Sequence, residues 1–262
     1  MGVYINNKSK AQELADLAVN VGKYLLASGA EVYRVEDTVY RMCYSCKGIK
    51  QIDVFATSNI VMLSFLHFNE NIIAMKRVKT KDTNLKRVEL INSFSRRFVS
   101  EEISIEEGIK ETNRILEDSK PNINLEFLGG GISAAAFCLM TGGSVIEGLL
   151  AFIASFIALY FGKVVGKYHY SFFIKIAFSS FIMAFIAFTV SIIGIKIDPN
   201  NVVVGAIMPL LPGGAITNAV RDLMSGDVLS GLSGLSDAVL TAAGIAIGVG
   251  GALYLFIFGG WI

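Results

Sequence analysis

The spacing of apolar residues changes at about residue 120, and the two sides of that point predict different kinds of structure. Over residues 10–28 apolar side chains recur at helical spacing, and the run ends at Gly29. A second amphipathic helix, three short strands and two more helices follow, in the order ααβββαα. We therefore expect residues 1–120 to form a small α+β domain with its own core.

Beyond residue 120 the chain consists largely of long apolar runs. A hydrocarbon layer of about 30 Å requires roughly 20 apolar residues of helix. Five segments meet this requirement, at about 126–143, 145–163, 171–195, 202–224 and 232–258. The expected fold class is therefore an α-helical integral membrane protein, with five transmembrane helices over residues 121–262 and an N-terminal α+β soluble domain.

The distribution of charge supports this division. Residues 1–120 carry 18 of the 23 Lys and Arg residues and 16 of the 22 Asp and Glu residues. The formal net charge of the chain is only +1, so we expect no nucleic-acid partner. Three cysteines cannot build a disulfide framework. The composition favours a polytopic protein of the lipid bilayer.

Two features of the polar region contain residue types that are found in chemical sites. Cys43 and Cys46 have redox or metal spacing, but no second pair accompanies them, and their place on an apolar helix face favours core packing. His67 ends an apolar strand and is interpreted as a packed or capping residue. The sequence contains no nucleophile–base pair, phosphate loop or metal-ligand set, so we expect neither an enzyme nor a bound cofactor or metal.

The fourth apolar segment contains the strongest candidate for function. Pro209, Pro212, Gly213 and Gly214 lie within six residues near its middle. Proline interrupts a helix, and such a break in lipid is tolerated where it is buried in protein or lines a wet cavity. Transporters use broken helices to present helix ends to substrate or ions. The alternative is a structural kink that packs against a neighbouring helix.

Polar residues follow this break. Thr217, Asn218 and Arg221 occupy positions i, i+1 and i+4, so that Thr217 and Arg221 share a helix face. An arginine here can bind a substrate carboxylate through two hydrogen bonds. Alternatively, Arg221 anchors the end of the segment and pairs with Asp222.

Two acids are candidates for an ion pathway. Asp237 opens the fifth segment, and Glu147 begins the second. An ionisable group inside a membrane is costly and is for that reason a functional candidate, and a protonatable acid suits proton coupling. Either residue could instead lie at the interface, within reach of water.

Small residues line the fifth segment, with Gly244 and Gly248 at GxxxG spacing. This pattern allows close helix contact, either within the protomer or with another chain. Five spans with so many small faces predict a companion chain, a homo-oligomer or both.

Basic residues predict the topology. The loop between the second and third segments carries Lys163, Lys167 and Lys175, whereas the hairpin before the second segment carries no charge. The N-terminal sequence lacks the apolar stretch of a signal peptide. We expect a multi-pass protein of the cell membrane with a cytoplasmic N-terminal domain and an external C-terminus.

Three stretches occur in the order in which a known protein family has them. They are GAEVYRVE at residues 29–36, the strand region at 49–65 and PLLPGG at 209–214. With them, the chain resembles the threonine/serine exporter family over nearly its full length. The resemblance implies a secondary exporter of threonine and serine or, as in some relatives, of dicarboxylates such as succinate. It also implies a split form that works with a smaller five-span companion. Gly29, Arg34 and Glu36 belong to the first of the three stretches.

The leading hypothesis is a proton-motive-force-linked exporter subunit for threonine or serine as the small-molecule substrate. In this hypothesis the broken fourth segment forms the binding site, Arg221 attracts a carboxylate and Asp237 carries protons. One alternative is a subunit of a dicarboxylate exporter. Another is a regulatory or scaffold subunit whose companion holds the pathway.

Overall fold

The computed structural model describes residues 4–79, 83–100, 102–166 and 171–261. Most of these residues are helical, and the chain divides into two compact units. The first unit contains residues 1–120 and 214–235, and the second contains residues 121–213 and 236–262. Lys167, which contributes to the topology prediction, lies outside the described residues.

The first 120 residues have the predicted order of elements. Two helices come first, α1 (Lys8–Ala27) and α2 (Val32–Tyr44). Three strands follow, β1 (Ile49–Thr57), β2 (Ile60–His67) and β3 (Glu70–Arg77). Two further helices complete the series, α3 (Leu85–Val99) and α4 (Ile105–Asp118). The predicted ααβββαα order is confirmed.

Local sequence signals explain where these helices begin and end. Asn7 caps α1, because its side chain accepts a hydrogen bond from the Lys10 amide at 2.8 Å. After α1 the chain turns at Gly29, whose φ of +87° lies in the left-handed region that favours glycine. Ser104 and Glu107 form a capping box at the start of α4.

The sheet is antiparallel with the strand order β1-β2-β3, and it pairs Phe55 with Met62 and Met62 with Met75. Helix α1 approaches this sheet and α2 very closely at Gly22. A Cβ added there would lie 2.9 Å from Val39 Cγ2 and 3.1 Å from Val61 Cγ1. The core of the first unit therefore lies between α1, α2 and the sheet.

The second unit is built from helices. It contains α5 (Ile123–Met140), α6 (Val145–Gly166), α7 (Phe172–Ile192), α8 (Pro199–Ile207) and a 3₁₀ turn at Met208–Leu210. The last two helices are α9 (Gly213–Met224) and α10 (Val228–Phe258). From Gly214 onwards α9 belongs to the first unit, and α10 passes into the second unit after Leu235.

Four helices among the described residues are long and apolar enough to cross a membrane, namely α5, α6, α7 and α10. The bent pair Pro199–Leu210 and Gly213–Met224 provides a fifth span if it is counted as one. Large apolar side chains such as Leu149, Ile153 and Phe178 are exposed on the second unit. Lipid is the environment in which such an exterior is stable, so the chain is a helical, multi-pass membrane protein with a small three-stranded sheet.

Small residues set the spacing of helices in the second unit. Gly248 faces Ala177 and Ser180 of α7, and a Cβ added at Gly244 would lie 3.2 Å from Ile176 Cγ2. The GxxxG pair is therefore used inside the chain, which is one of the two possibilities that the sequence leaves open. Buried alanines of α6 and α7 continue this pattern, at positions 151, 154, 158, 184 and 187.

Candidate functional site: the broken helix and its contacts

The fourth apolar segment is interrupted where its prolines predict a break. After α8 the chain forms the 3₁₀ turn that contains Pro209, and Leu211 is then extended, with φ −66° and ψ 133°. Pro212 follows, and it cannot donate a backbone hydrogen bond. Two short-range bonds replace the helical ladder, from the Leu211 amide to the Met208 carbonyl at 3.1 Å and from the Gly213 amide to the Leu211 carbonyl at 2.9 Å.

The two glycines after this break stand in open space. Gly213 and Gly214 are exposed, and a Cβ added to either would meet no described atom within 4 Å. A larger side chain would therefore fit at either position, and the contribution of glycine is the conformational freedom of its backbone. Pro209 differs, because its Cβ lies 3.9 Å from the position of a Cβ added to Gly130 of α5.

Two polar residues of α9 contact the turn between α1 and α2. Asn218 Nδ2 donates a hydrogen bond to the Gly29 carbonyl at 3.1 Å. One turn later, the Arg221 guanidinium forms an ion pair with the Glu31 carboxylate. We call these two contacts the α9 clasp. Thr217, the third polar residue of this stretch, is exposed on the same helix.

The ion pair of the α9 clasp is sheltered on one side. The Glu31 side chain is 11% exposed, whereas the Arg221 side chain is 52% exposed. Glu31 Oε2 is buried and has no hydrogen-bond donor among the described residues. A carboxylate in such a place depends on its cation, because removal of the cation leaves a buried charge unpaired. Glu31, which sequence reasoning did not consider, is thus an ion-pair partner of Arg221.

A cavity of about 210 Å³ lies beside the clasp within the first unit. Its polar lining comes from Gly29, Glu31, Arg34, Asn92 and Asn218. The structure therefore brings together three residues that the sequence singled out in two distant motifs. It adds Glu31 and Asn92, for which sequence reasoning gave no role.

Glu36, the remaining residue of the first motif, connects α2 to the sheet. Its Oε1 atom accepts a hydrogen bond from the Ala56 amide at 2.7 Å. Burial raises the pKa of Glu36 above its usual value, the hydrogen bond from Ala56 opposes this rise, and the negative charge of Asp227 adds to it. Glu36 is thus affected by the segment that joins α9 to α10.

Glu147 is buried in the second unit and has several hydrogen-bond donors around it. Its carboxylate accepts hydrogen bonds from the backbone amides of Ser144 and Asp198, both at 2.6 Å, and from Asn201 Nδ2 at 3.4 Å. These contacts join the start of α6 to the start of α8. They give Glu147 a structural role at two helix ends, which sequence reasoning missed.

Asp237 lies on the part of α10 that belongs to the second unit, and its side chain is exposed there. Its carbonyl accepts a hydrogen bond from Thr241 Oγ1 at 2.8 Å. The carboxylate therefore lies on the surface of α10.

The remaining chemical candidates are core residues. Cys43 and Cys46 are buried, and burial raises the pKa of the Cys43 thiol, with a further rise from Cys46. His67 is buried and its Nε2 lies 3.1 Å from the Ile5 carbonyl oxygen. Within the described ranges no cluster of His, Cys, Asp and Glu is able to hold a metal ion.

Comparison with known proteins identifies the family. A family model described as "Putative threonine/serine exporter" matches residues 16–256, which include all three family-like stretches and all the contacts of the α9 clasp. The chain belongs to the threonine/serine exporter family. The resemblance seen in the sequence is thereby confirmed, and this family is one of transporters.

Three relatives align with most of the chain. A protein of Klebsiella aerogenes named "Probable succinate transporter subunit YjjP" is 24% identical over 97% of this chain and 98% of its own length. The Escherichia coli protein of the same name is 22% identical over 94% and 96%. A "Probable threonine/serine exporter" of Mycobacterium tuberculosis is 22% identical over 91% of this chain, but over only 45% of its own length. No solved structure matches the chain.

Proposed function

We propose that this family member is a subunit of a secondary exporter of small polar metabolites, with threonine and serine as its substrates. The break between α8 and α9 carries the proposal, because two prolines and two exposed glycines interrupt an otherwise apolar segment. Irregular backbone at membrane depth is a recurrent device for substrate and ion binding in transporters. Membership of the exporter family supports the same function.

In the proposed mechanism Arg221 changes partners. Its guanidinium is paired with Glu31, and it is half-exposed. A substrate carboxylate competes with Glu31 for the same fork of N–H donors. Arrival of substrate would thus release the α9 clasp and allow the second half of the broken segment to move.

Coupling to the proton motive force is assigned to Asp237. A carboxylate on the surface of an apolar helix is stable in lipid when it is protonated and is stable in an aqueous path when it is charged. Proton binding and release at this position would therefore accompany each transport cycle. The basic residues Lys163 and Lys175 favour a cytoplasmic first unit and an external C-terminus.

A dicarboxylate exporter is the second candidate, and one observation favours it. The two relatives that match this chain in length are both named as succinate transporter subunits. Their names also support a companion chain. The chain spans only 45% of the length of the mycobacterial exporter.

The test is efflux of preloaded radiolabelled threonine, serine and succinate from cells that lack their native exporters. The chain is expressed alone and with a candidate five-span companion, and both are verified in the membrane. We expect threonine and serine efflux that requires both chains. Efflux of succinate alone would select the second candidate, and efflux of none of the three would reject both. If transport survives substitution of the PLLPGG residues, the pathway lies in the companion.

A further inference from the structure

The cavity beside the α9 clasp is lined by Glu31 and Asn218 of the clasp and by further residues that the proposed transport path does not use. Four apolar side chains line it, those of Leu25, Ala30, Leu85 and Val88. Its polar lining includes one acid, Glu31, and one base, Arg34. The cavity thus offers an apolar surface and both signs of charge to one small ligand.

Both charges have unused bonding capacity. Glu31 Oε2 has no hydrogen-bond donor in the part of the chain that the structure describes. Arg34, which is exposed, has no ion pair with any described carboxylate. A guanidinium binds a carboxylate through paired hydrogen bonds, and a carboxylate binds an ammonium group. The amide side chains of Asn92 and Asn218 add donors and acceptors at the same cavity.

The size of the cavity limits the ligand. Its volume of about 210 Å³ is below the roughly 300–1,000 Å³ of pockets for drug-sized molecules. A cavity of this volume therefore fits a metabolite with few heavy atoms. A dicarboxylate is disfavoured, because its second negative charge would face the carboxylate of Glu31.

We propose that this cavity is a binding site for a small zwitterionic amino acid, distinct from the break at residues 209–214. The ligand carboxylate contacts Arg34, its ammonium group contacts Glu31, and its side chain lies against Leu25 and Val88. The inference deepens the proposed function, on which the choice of threonine and serine as probes rests. Because Glu31 and Asn218 also belong to the α9 clasp, occupancy of the site would bias the position of α9.

The test is isothermal titration of the purified full-length chain in detergent with L-threonine, L-serine and succinate. Propionate and ethanolamine serve as probes that each have only one of the two charges. We expect saturable binding of the two amino acids and at least tenfold weaker binding of the other three probes, since each lost charge-assisted hydrogen bond weakens binding roughly 10- to 100-fold.

Two pairs of variants locate the binding. Arg34→Gln removes the cation, and Arg41→Gln is its control on the same helix, where Arg41 pairs with Asp37 at 2.8 Å. Val88→Trp fills the cavity, and Glu89→Trp is a control at an exposed neighbouring position. Arg34→Gln and Val88→Trp should weaken threonine binding at least tenfold, whereas the two controls should bind as the parent chain does. Asn92→Leu provides a milder cavity variant if Val88→Trp fails to fold.

Either of two results would overturn the inference. One is the absence of amino-acid binding to the parent chain, and the other is unchanged binding to Arg34→Gln and to a folded cavity variant. Efflux measured in parallel separates the two proposals. If amino acids are exported but their binding is unaffected by the cavity variants, only this binding site is rejected. If the cavity variants weaken binding but the chain exports no amino acid, only the proposed function is rejected.

Discussion

Arg221 on α9 forms an ion pair with Glu31, the N-cap residue of α2, and Asn218 one turn earlier donates a hydrogen bond to the Gly29 carbonyl. The hydrogen-bonded residues are 189 positions apart in the sequence. The second half of the broken segment is therefore joined to the turn between α1 and α2, within the stretch at residues 29–36. In the proposed mechanism this joint opens during transport.

Exchange of the two charges tests whether the ion pair between Arg221 and Glu31 contributes to efflux and to stability. Glu31→Arg or Arg221→Glu alone places like charges together, and each should lower efflux strongly and lower the free energy of unfolding by about 1–3 kcal/mol. The double variant restores opposite charges and should recover most of both quantities. Efflux and thermal unfolding of the detergent-purified chain provide the measurements. No recovery in the double variant would mean that Arg221 acts through another contact.

Stiffening the break should reduce transport without loss of stability. Alanine fits at Gly213 and Gly214 because a Cβ there meets no described atom within 4 Å. Each replacement favours helix by about 1 kcal/mol, so the double variant should unfold at the same or a higher temperature but export more slowly. Gly250→Ala is the matched control, since its added Cβ is equally unobstructed. Equal efflux from the double variant and the control would remove backbone freedom from the mechanism.

Asp237→Asn should abolish coupled efflux while the chain still inserts into the membrane. Asparagine has nearly the same shape, but its amide neither binds nor releases a proton near neutral pH. Efflux driven by an imposed pH gradient in vesicles is the measurement, and the exposed acid Glu117, replaced by Gln, is the control. Proton-driven efflux at the parent rate would show that another group carries the proton.

Glu147→Ala should act on stability. The Glu147 carboxylate accepts two backbone hydrogen bonds at 2.6 Å, and a lost hydrogen bond to a charged acceptor costs about 1.5–3 kcal/mol. We expect a lower unfolding temperature and earlier protease cleavage near residues 141–144 and 195–198. Unchanged thermal stability together with a loss of pH-driven efflux would instead place Glu147 in the ion pathway.

Because the pKa of Glu36 is raised, neutralising this side chain should stabilise the folded chain, and the gain in stability should depend on pH. Because the folded pKa lies above the unfolded one, the folded state binds more protons between the two values, and stability falls as pH rises through that window. Glu36→Gln keeps an acceptor for the Ala56 amide and removes the repulsion from Asp227. It should therefore raise the unfolding temperature at pH 7, and the gain should disappear below about pH 4. An equal gain at pH 4 and pH 7, measured by thermal unfolding, would contradict this explanation.

Local signals in the sequence were sufficient to predict most of the secondary structure. The helices of the first unit follow apolar periodicity and caps such as Ser104 with Glu107, because these interactions span only a few residues. The break was also predictable, since proline acts through its own ring and its missing N–H group. The number of spans was not settled in this way, because a bent pair can count as one span or none.

The sequence by itself determined the apolar runs, the broken helix and the family. Tertiary structure decided what the polar residues contact. Arg221 pairs with Glu31, which is distant in the sequence, and Glu147 reaches the Asp198 amide across two helix ends. Ion pairs and side-chain caps of this kind depend on where the chain returns in space, which local periodicity does not encode. The same reason explains why the cavity residues Glu31 and Asn92 were recognised only in the folded chain.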